Sequence, residues 1–558
     1  MGLASSCPDG LTVSRRLSFA LLFLLILGLT LPVLALVASS LPGMAALTSS
    51  LGMPAGDILR EMAGTVLPGY LQTTLWLTLA VAVGVTVVGT VSAIAITLFE
   101  FPGRRVLEWA LLLPLAMPAY VVAYAYTDFL QFSGPLQTAL REATGLEGRM
   151  FPEVRSVGGA AFVFIFSLYP YVYLLARSAL SERAARLMEA ARVLGAPLRR
   201  RIMEIALPLA RPAVAAGVAL ALMETLADFG VSSYFAIQTF TAGIYKAWLV
   251  MDNRAAAAQL ATMLLALVGL LLWLEHRAQA RMRFAAGRSS GADTRDSRPL
   301  VLHGYARVLA WLLCTAPVLL GFVIPVVLML RPLQAESNAL PWGQFLTWAA
   351  NSARLALLTA ALAVFAALGL AMAQRRHASR ITRAAVQLAG LGYAVPGAVV
   401  VVGLLLPLGW LQAVWPLSPV AAWVTATSLG LVWAYLVRFC AVALQSIQSG
   451  YARIPVSLDD SARLLGCTGW DLMRRVHAPL LRRSTAVAAL LVFVDVMKEL
   501  PATLVLRPFD SDTLAVVTYQ LARDERLGEA ALPALALVLV GLIPVALLSR
   551  TLRTSESR

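Results

Sequence analysis

Four carboxylates sit where hydropathy would exclude them. Glu224 and Asp228 lie in "LMETLADFG", and Asp495 and Glu499 lie in "FVDVMKELP", both inside long apolar runs. Each acid of the second pair follows its counterpart by 271 residues. Within each pair the acids are four apart, which on a continuous helix places them on one face, about 6 Å apart along the axis. Carboxylates in an apolar span are costly and face a bundle interior or an aqueous path. Their oxygens match hard cations, whereas softer metals would call for Cys, Met or His. The spacing therefore predicts four acids lining a conduit for a cationic solute. The bland alternative is structural: an ion pair with Lys498, or capping of backbone amides at a broken helix.

The same 271-residue offset relates two polar loops. "EAARVLGAPLRRRIMEIALP" at 189–208 and "DSARLLGCTGWDLMRRVHAP" at 460–479 align Glu189 with Asp460, Gly195 with Gly466 and Pro208 with Pro479. Each reads as a short helix, a break at glycine and a second amphipathic helix. A plain connector has no reason to keep its acid, glycine and proline in register through a duplication. The loops therefore read as docking elements. Further upstream, Met117-Pro118-Ala119 and Val395-Pro396-Gly397 align at an offset of 278, so one loop differs in length between the halves.

The elements that must carry these residues are apolar spans. The chain of 558 residues is 59% hydrophobic and only 13% charged, with a mean hydropathy of +0.77; soluble domains carry about 25% charged residues. With about 20 residues per span, hydropathy predicts twelve transmembrane helices in an all-α integral membrane protein. Six lie near 17–38, 71–98, 106–128, 158–180, 211–236 and 255–274. Six more lie near 305–330, 350–374, 383–408, 418–444, 484–506 and 530–549. The division is a first repeat at 1–275, a basic linker at 276–302 and a second repeat at 303–558. Even span numbers make the repeats parallel. The opening run from Leu17 reads as an uncleaved anchor, being longer than a signal-peptide core.

Arginine fixes the expected orientation. Arg15, Arg16, Arg104, Arg105, Arg199 to Arg201, the linker, Arg474 and Arg475 all fall on one side if both termini are cytoplasmic. That accounts for the net charge of +15 without nucleic acid. Only two lysines occur, Lys246 and Lys498, and neither stands in a phosphate-binding G-x-x-x-x-G-K-[ST] loop. The four histidines and four cysteines are scattered, so neither a metal site nor a disulfide framework is expected.

Glu189-Ala190-Ala191-x3-Gly195-x9-Ile205-x-Leu207-Pro208 resembles the EAA loop of ABC importer permeases at every fixed position. The second copy, Asp460-Ser461-Ala462, Gly466 and Pro479, keeps the spacing with substitutions. The resemblance implies a type I importer permease in the bacterial inner membrane, with both repeats in one chain. It implies two cytoplasmic ATPase subunits that hold the ATP and magnesium and grip one loop each, so the chain itself needs no cofactor. It also implies a periplasmic solute-binding protein. "ETLADFGVSSYF" and "MKELPATLVLRPFDSDTLA" are similar to the fused permeases of ferric iron importers, which implies transient Fe(III) passage along the acids. Related permeases carry thiamine, polyamines, phosphonates or sulfate, and a gradient-driven carrier with two six-span halves is the alternative of another class.

Overall fold

The computed structural model describes residues 10–39, 55–145, 147–181, 185–283, 300–335, 341–376, 380–467 and 470–556. Most of the linker expected at 276–302 thus lies outside the described residues, as do Cys7 and His377. The described chain is almost wholly helical. One parallel pairing of two-residue strands, Phe99–Glu100 with Leu300–Val301, is the sole sheet among the described residues.

Among the described residues nine helices are long and apolar enough to cross a membrane, and ten if one bent pair counts as a span, where hydropathy predicts twelve. The differences have local causes. The span expected at 106–128 is broken, with Arg104–Ala116 and Ala119–Thr144 meeting at 90° across Met117-Pro118. Proline cannot accept a helical predecessor comfortably, and Pro118 opens the new helix as its N-cap. The second half repeats the break, with Arg380–Gly390 separated from Gly397–Val414 by Val395-Pro396. The expected span 484–506 is not one helix either. Ala478–Lys498 carries Arg482, Arg483, Asp495 and Lys498, and Pro501–Leu506 starts anew. The first apolar helix is Gly10–Ser39.

The chain divides into two compact units that do not coincide with the sequence halves. One comprises 1–47 with 350–511; the other comprises 48–349 with 512–558. In the first, the opening helix packs along Gly397–Val414, where a Cβ on Gly403 would run into the Pro32 carbonyl, and Trp433 Nε1 donates to the Gly28 carbonyl at 2.7 Å. In the second, Gly304–Val318 and its continuation pack with elements of the first repeat, and the Tyr126 hydroxyl donates to the Leu320 carbonyl at 2.7 Å. Lipid offers apolar side chains no penalty, so close backbone approach at small residues selects helix partners. At Gly89 of Leu67–Leu98 an added Cβ would lie 2.6 Å from Val172 Cβ, and at Gly217 of Leu207–Ala227 it would lie 2.6 Å from Val172 Cα. Val157–Ala179 is thereby clamped between two glycine-bearing helices.

Candidate functional site: paired loops and broken helices

The two loops fold alike. The helix Ala185–Val193 ends at Gly195, with φ +78°, and the helix Val456–Leu464 ends at Gly466, with φ +83°. In the first, Gly195 N–H donates to the Arg192 carbonyl at 3.0 Å and Ala196 N–H donates to Ala191 at 2.9 Å. In the second, Gly466 N–H reaches Arg463 at 3.0 Å and Cys467 N–H reaches Ala462 at 3.0 Å. This pairing of bonds is a Schellman ending, in which a left-handed residue closes the helix and satisfies its last carbonyls. Ala191 and Ala462 thus matter as backbone acceptors. The residues just before each glycine are apolar and solvent-facing: Val193 and Leu194 are 88% and 86% exposed, Leu464 and Leu465 89% and 85%.

After each turn the helix widens into one π-helical turn, Ile202–Ala206 and Met473–His477. The following prolines explain it. Pro208 and Pro479 lack an N–H and would press on the carbonyls four residues back, at Glu204 and Arg475; a π turn absorbs that clash. Leu207 N–H accordingly donates to Ile202 and Ala478 N–H to Met473. Among the acids, Glu189 is half-buried, while Asp460 is exposed and pairs with Arg463 at 3.3 Å. Ser461 and Ala190 are exposed and Leu207 is half-buried.

The second loop has an anchor that the spacing analysis missed. Asp459, 3% exposed, accepts from Arg375 Nε at 2.7 Å and Nη2 at 3.1 Å, and lies 3.1 Å from His477 Nε2. Tyr451 Oη lies 3.1 Å from His477 Nδ1, and Arg375 also donates to the carbonyls of Tyr451, Ile454 and Pro455. At the 271-residue offset the first half has Met188, Ala206 and Leu180 in place of Asp459, His477 and Tyr451, all buried. One loop is seated on an apolar base, the other on an ionic one. Burial alone would raise the Asp459 carboxyl, but hydrogen bonds from Arg375 and His477, with their charges, hold it below the usual carboxylate range. A depressed folded value means that this stability is fully present above the ordinary aspartate pKa near 4 and is lost as pH falls through the depressed value. Protease cleavage within 456–477 should therefore stay constant from neutral pH down to about 5, whereas Asp459→Asn should raise it already at pH 7. Equal cleavage of variant and wild type at pH 7 would refute the anchor.

The intramembrane acids mark helix ends. Leu207–Ala227 and Ala478–Lys498 are both 21 residues long, and Asp228 and Glu499 follow as the first extended residues. The two acids of each pair therefore do not share one continuous helical face, contrary to the spacing argument; only Glu224 and Asp495 are on the helices. Asp228 Oδ1 accepts from Val231 N–H at 2.8 Å. Glu499 is 4% exposed, and its carboxylate accepts from Ala502 N–H at 2.8 Å, Thr503 N–H at 3.0 Å and Thr503 Oγ1 at 2.7 Å. Arg438 Nη1 lies 3.4 Å from Glu499 Oε1. Glu499 thus caps the amides of the restarted helix, one of the structural roles the sequence allows, and also lies against the buried Arg438 guanidinium. Gly397 lets this happen: a Cβ there would meet Glu499 Oε1 and Pro501 Cβ at 3.0 Å. Twenty-one residues at 1.5 Å per residue span about 30 Å, the thickness of a bilayer's hydrocarbon core. Each break thus lies about one membrane thickness from its loop. Among the described residues no group of three or more His, Cys, Asp or Glu is placed to hold a metal ion.

The sequence pattern of the family described as "Binding-protein-dependent transport system inner membrane component" matches this chain twice, at residues 86–284 and 365–554. The matches take in well over half of the chain, which therefore belongs to that family and carries its unit in duplicate. It is 26% identical to the Fe(3+)-transport system permease protein FbpB 2 of Haemophilus influenzae over 86% of this chain and 89% of that protein. It is 24% identical to the probable ABC transporter permease protein y4fN of Sinorhizobium fredii over 87% and 88% of the two chains. The molybdenum transport system permease protein ModB of Escherichia coli is 28% identical over 81% of its own length but only 32% of this chain.

Proposed function

We propose that this chain is the whole membrane-spanning part of an ATP-driven importer, with both termini in the cytoplasm. Two cytoplasmic ATPase subunits grip it, one at 189–208 and one at 460–479, and a periplasmic binding protein supplies the solute. The observation that carries the reading is the identical ending of the two loop helices, each presenting an exposed apolar pair before a left-handed glycine. Unpartnered side chains of that kind fit a protein groove better than water. Hydrolysis belongs to the partners, and this chain converts their closure into helix movement.

The solute we assign is ferric iron. Its support is the likeness to an iron permease along nearly the whole of both chains, together with carboxylates at matching sequence positions in both repeats. Glu224, Asp228 and Asp495 are the acids proposed to meet the cation, and Glu499 shapes the path as a cap. A photo-crosslinker at Leu194 or at Leu465 should join the chain to the ATPase, whereas one at the fully exposed Phe509, beyond the break, should not. Crosslinks to the ATPase from Phe509 alone would overturn the assignment of the loops.

A further inference from the structure

Around the break in the first repeat the interior is lined with phenols. Tyr120 and Tyr124 lie on one face of Ala119–Leu130, with ring centroids 5.6 Å apart. Tyr124 packs edge-on against Tyr234 at 4.5 Å. Tyr519, on Leu514–Arg523, packs on Phe229 at 5.6 Å, and its hydroxyl lies 2.7 Å from Ser233 Oγ. Asp228, the capping acid, stands at the same break, directly before Phe229 and accepting from Val231 N–H. Gly230 permits the crowding, since a Cβ there would lie 2.7 Å from Tyr120 Cβ. Tyr234 forms a wall, its ring covered by Arg155 at 4.9 Å.

Two facts bear on what this cluster can do. The Tyr124 hydroxyl and Ser232 Oγ are fully buried and make no hydrogen bond among the described residues. Native interiors rarely leave buried polar atoms unpaired, and those that remain call for a ligand, an ion or a strained role. The fold, moreover, does not need the hydroxyls. At the repeat offsets Tyr120, Tyr124 and Tyr234 correspond to Ala398, Val402 and Val505, which build the equivalent break with apolar side chains. In that second repeat the acid is neutralised by Arg438, whose counterpart in the first is Ser167.

We propose that Tyr120, Tyr124 and Tyr519, together with Asp228, form an oxygen-donor site that holds the trivalent cation in transit past the break at Asp228. The inference rests on the ferric iron reading above and adds to it a binding site in the compact unit built from 48–349 and 512–558. Phenolate and carboxylate oxygens are hard donors suited to a small, highly charged ion. Two of the three phenols exchange their O–H bonds for O–Fe(III) bonds and release their protons to solvent, and the third coordinates through its neutral hydroxyl. Asp228 and two phenolates balance three positive charges. In the empty protein the phenols keep their protons, so the site carries little charge when unloaded.

The test uses the full chain complexed with its ATPase in nanodiscs, with Fe(III) nitrilotriacetate as the probe. Wild type should develop a visible phenolate-to-iron charge-transfer band, and Tyr124→Phe should weaken binding about tenfold, the usual scale for a group supporting a metal site. Tyr126→Phe, whose hydroxyl is already bonded to Leu320, should keep the band. Because Tyr124→Phe removes an unpaired buried hydroxyl, its melting temperature should hold or rise. A fall in melting temperature together with loss of the band would assign the phenol to packing and overturn the site. In proteoliposomes, iron import by wild type with no band, and undiminished import by the Tyr124→Phe and Tyr519→Phe variants, would overturn this inference alone. Failure of wild type to import iron at all, while another solute is carried, would overturn the iron reading beneath it.

Discussion

Gly195→Val is expected to reduce import to background while leaving the protein inserted in the membrane. Gly195 holds φ +78°, a region that costs an L residue about 1–2 kcal/mol and a β-branched one more. A side chain there would meet nothing within 4 Å, so the loss arises from the backbone alone. Without the left-handed turn the Schellman bonds to Ala191 and Arg192 break, and Val193 and Leu194 no longer face outward as a pair. Gly195→Asn separates this from any effect of side-chain bulk, because Asn adopts the left-handed region readily; it should retain most of the import. Gly466→Val should act in the same direction, more mildly, since only the first loop carries the complete motif. Uptake by proteoliposomes, normalised to inserted protein, reads all three. Equal import by the Val and Asn variants at wild-type rate would remove the turn from the coupling mechanism.

Glu499→Ala should be the most damaging change to the stability of the unit built from 1–47 and 350–511. It strips the cap from Pro501–Leu506 and leaves the Arg438 guanidinium buried without its carboxylate. Breaking a buried pair from one side typically costs about 3–5 kcal/mol. Replacing both partners by apolar residues, as in Arg438→Met with Glu499→Leu, should recover a good part of that loss, because a buried pair contributes little net stability over a packed apolar one. The measurement is the yield and melting temperature of the purified chain for each single variant and for the double. If Glu499→Gln melts like wild type and only iron import slows, the carboxylate acts on the solute, as its spacing alone suggests, and the cap is incidental.

The duplication was legible because both loops keep acid, glycine and proline at fixed intervals, and those intervals encode a real turn. The ends of the acid-bearing helices were also written in the sequence, yet are easily passed over. Pro501 lacks an N–H and opens a new helix, and the extended residue ahead of it is Glu499, which removes that acid from the face of Asp495. Pro118 and Pro396 served as alignment marks, when their physical meaning is a broken span. Arg438 stands in an apolar run and on that ground alone demands a buried partner. The anchor of the second loop was hidden more deeply. Asp459 and His477 lie 18 residues apart, and Arg375 comes from a helix 84 residues before Asp459, so nothing local links them. The placement of the opening helix with the elements of 350–511 was not legible at all, since hydropathy says that a helix is apolar and nothing about which apolar neighbour it chooses.

The central claim is that two like loops transmit ATP hydrolysis to one duplicated permease. Vesicles containing the chain and its ATPase, supplied outside with an iron-loaded binding protein and inside with ATP, test it when hydrolysis and internal iron are followed together. The account predicts that loaded binding protein raises hydrolysis, that iron accumulates in step with it, and that Gly195→Val uncouples the two by abolishing accumulation. Iron accumulation driven by an ion gradient in vesicles lacking the ATPase would contradict it.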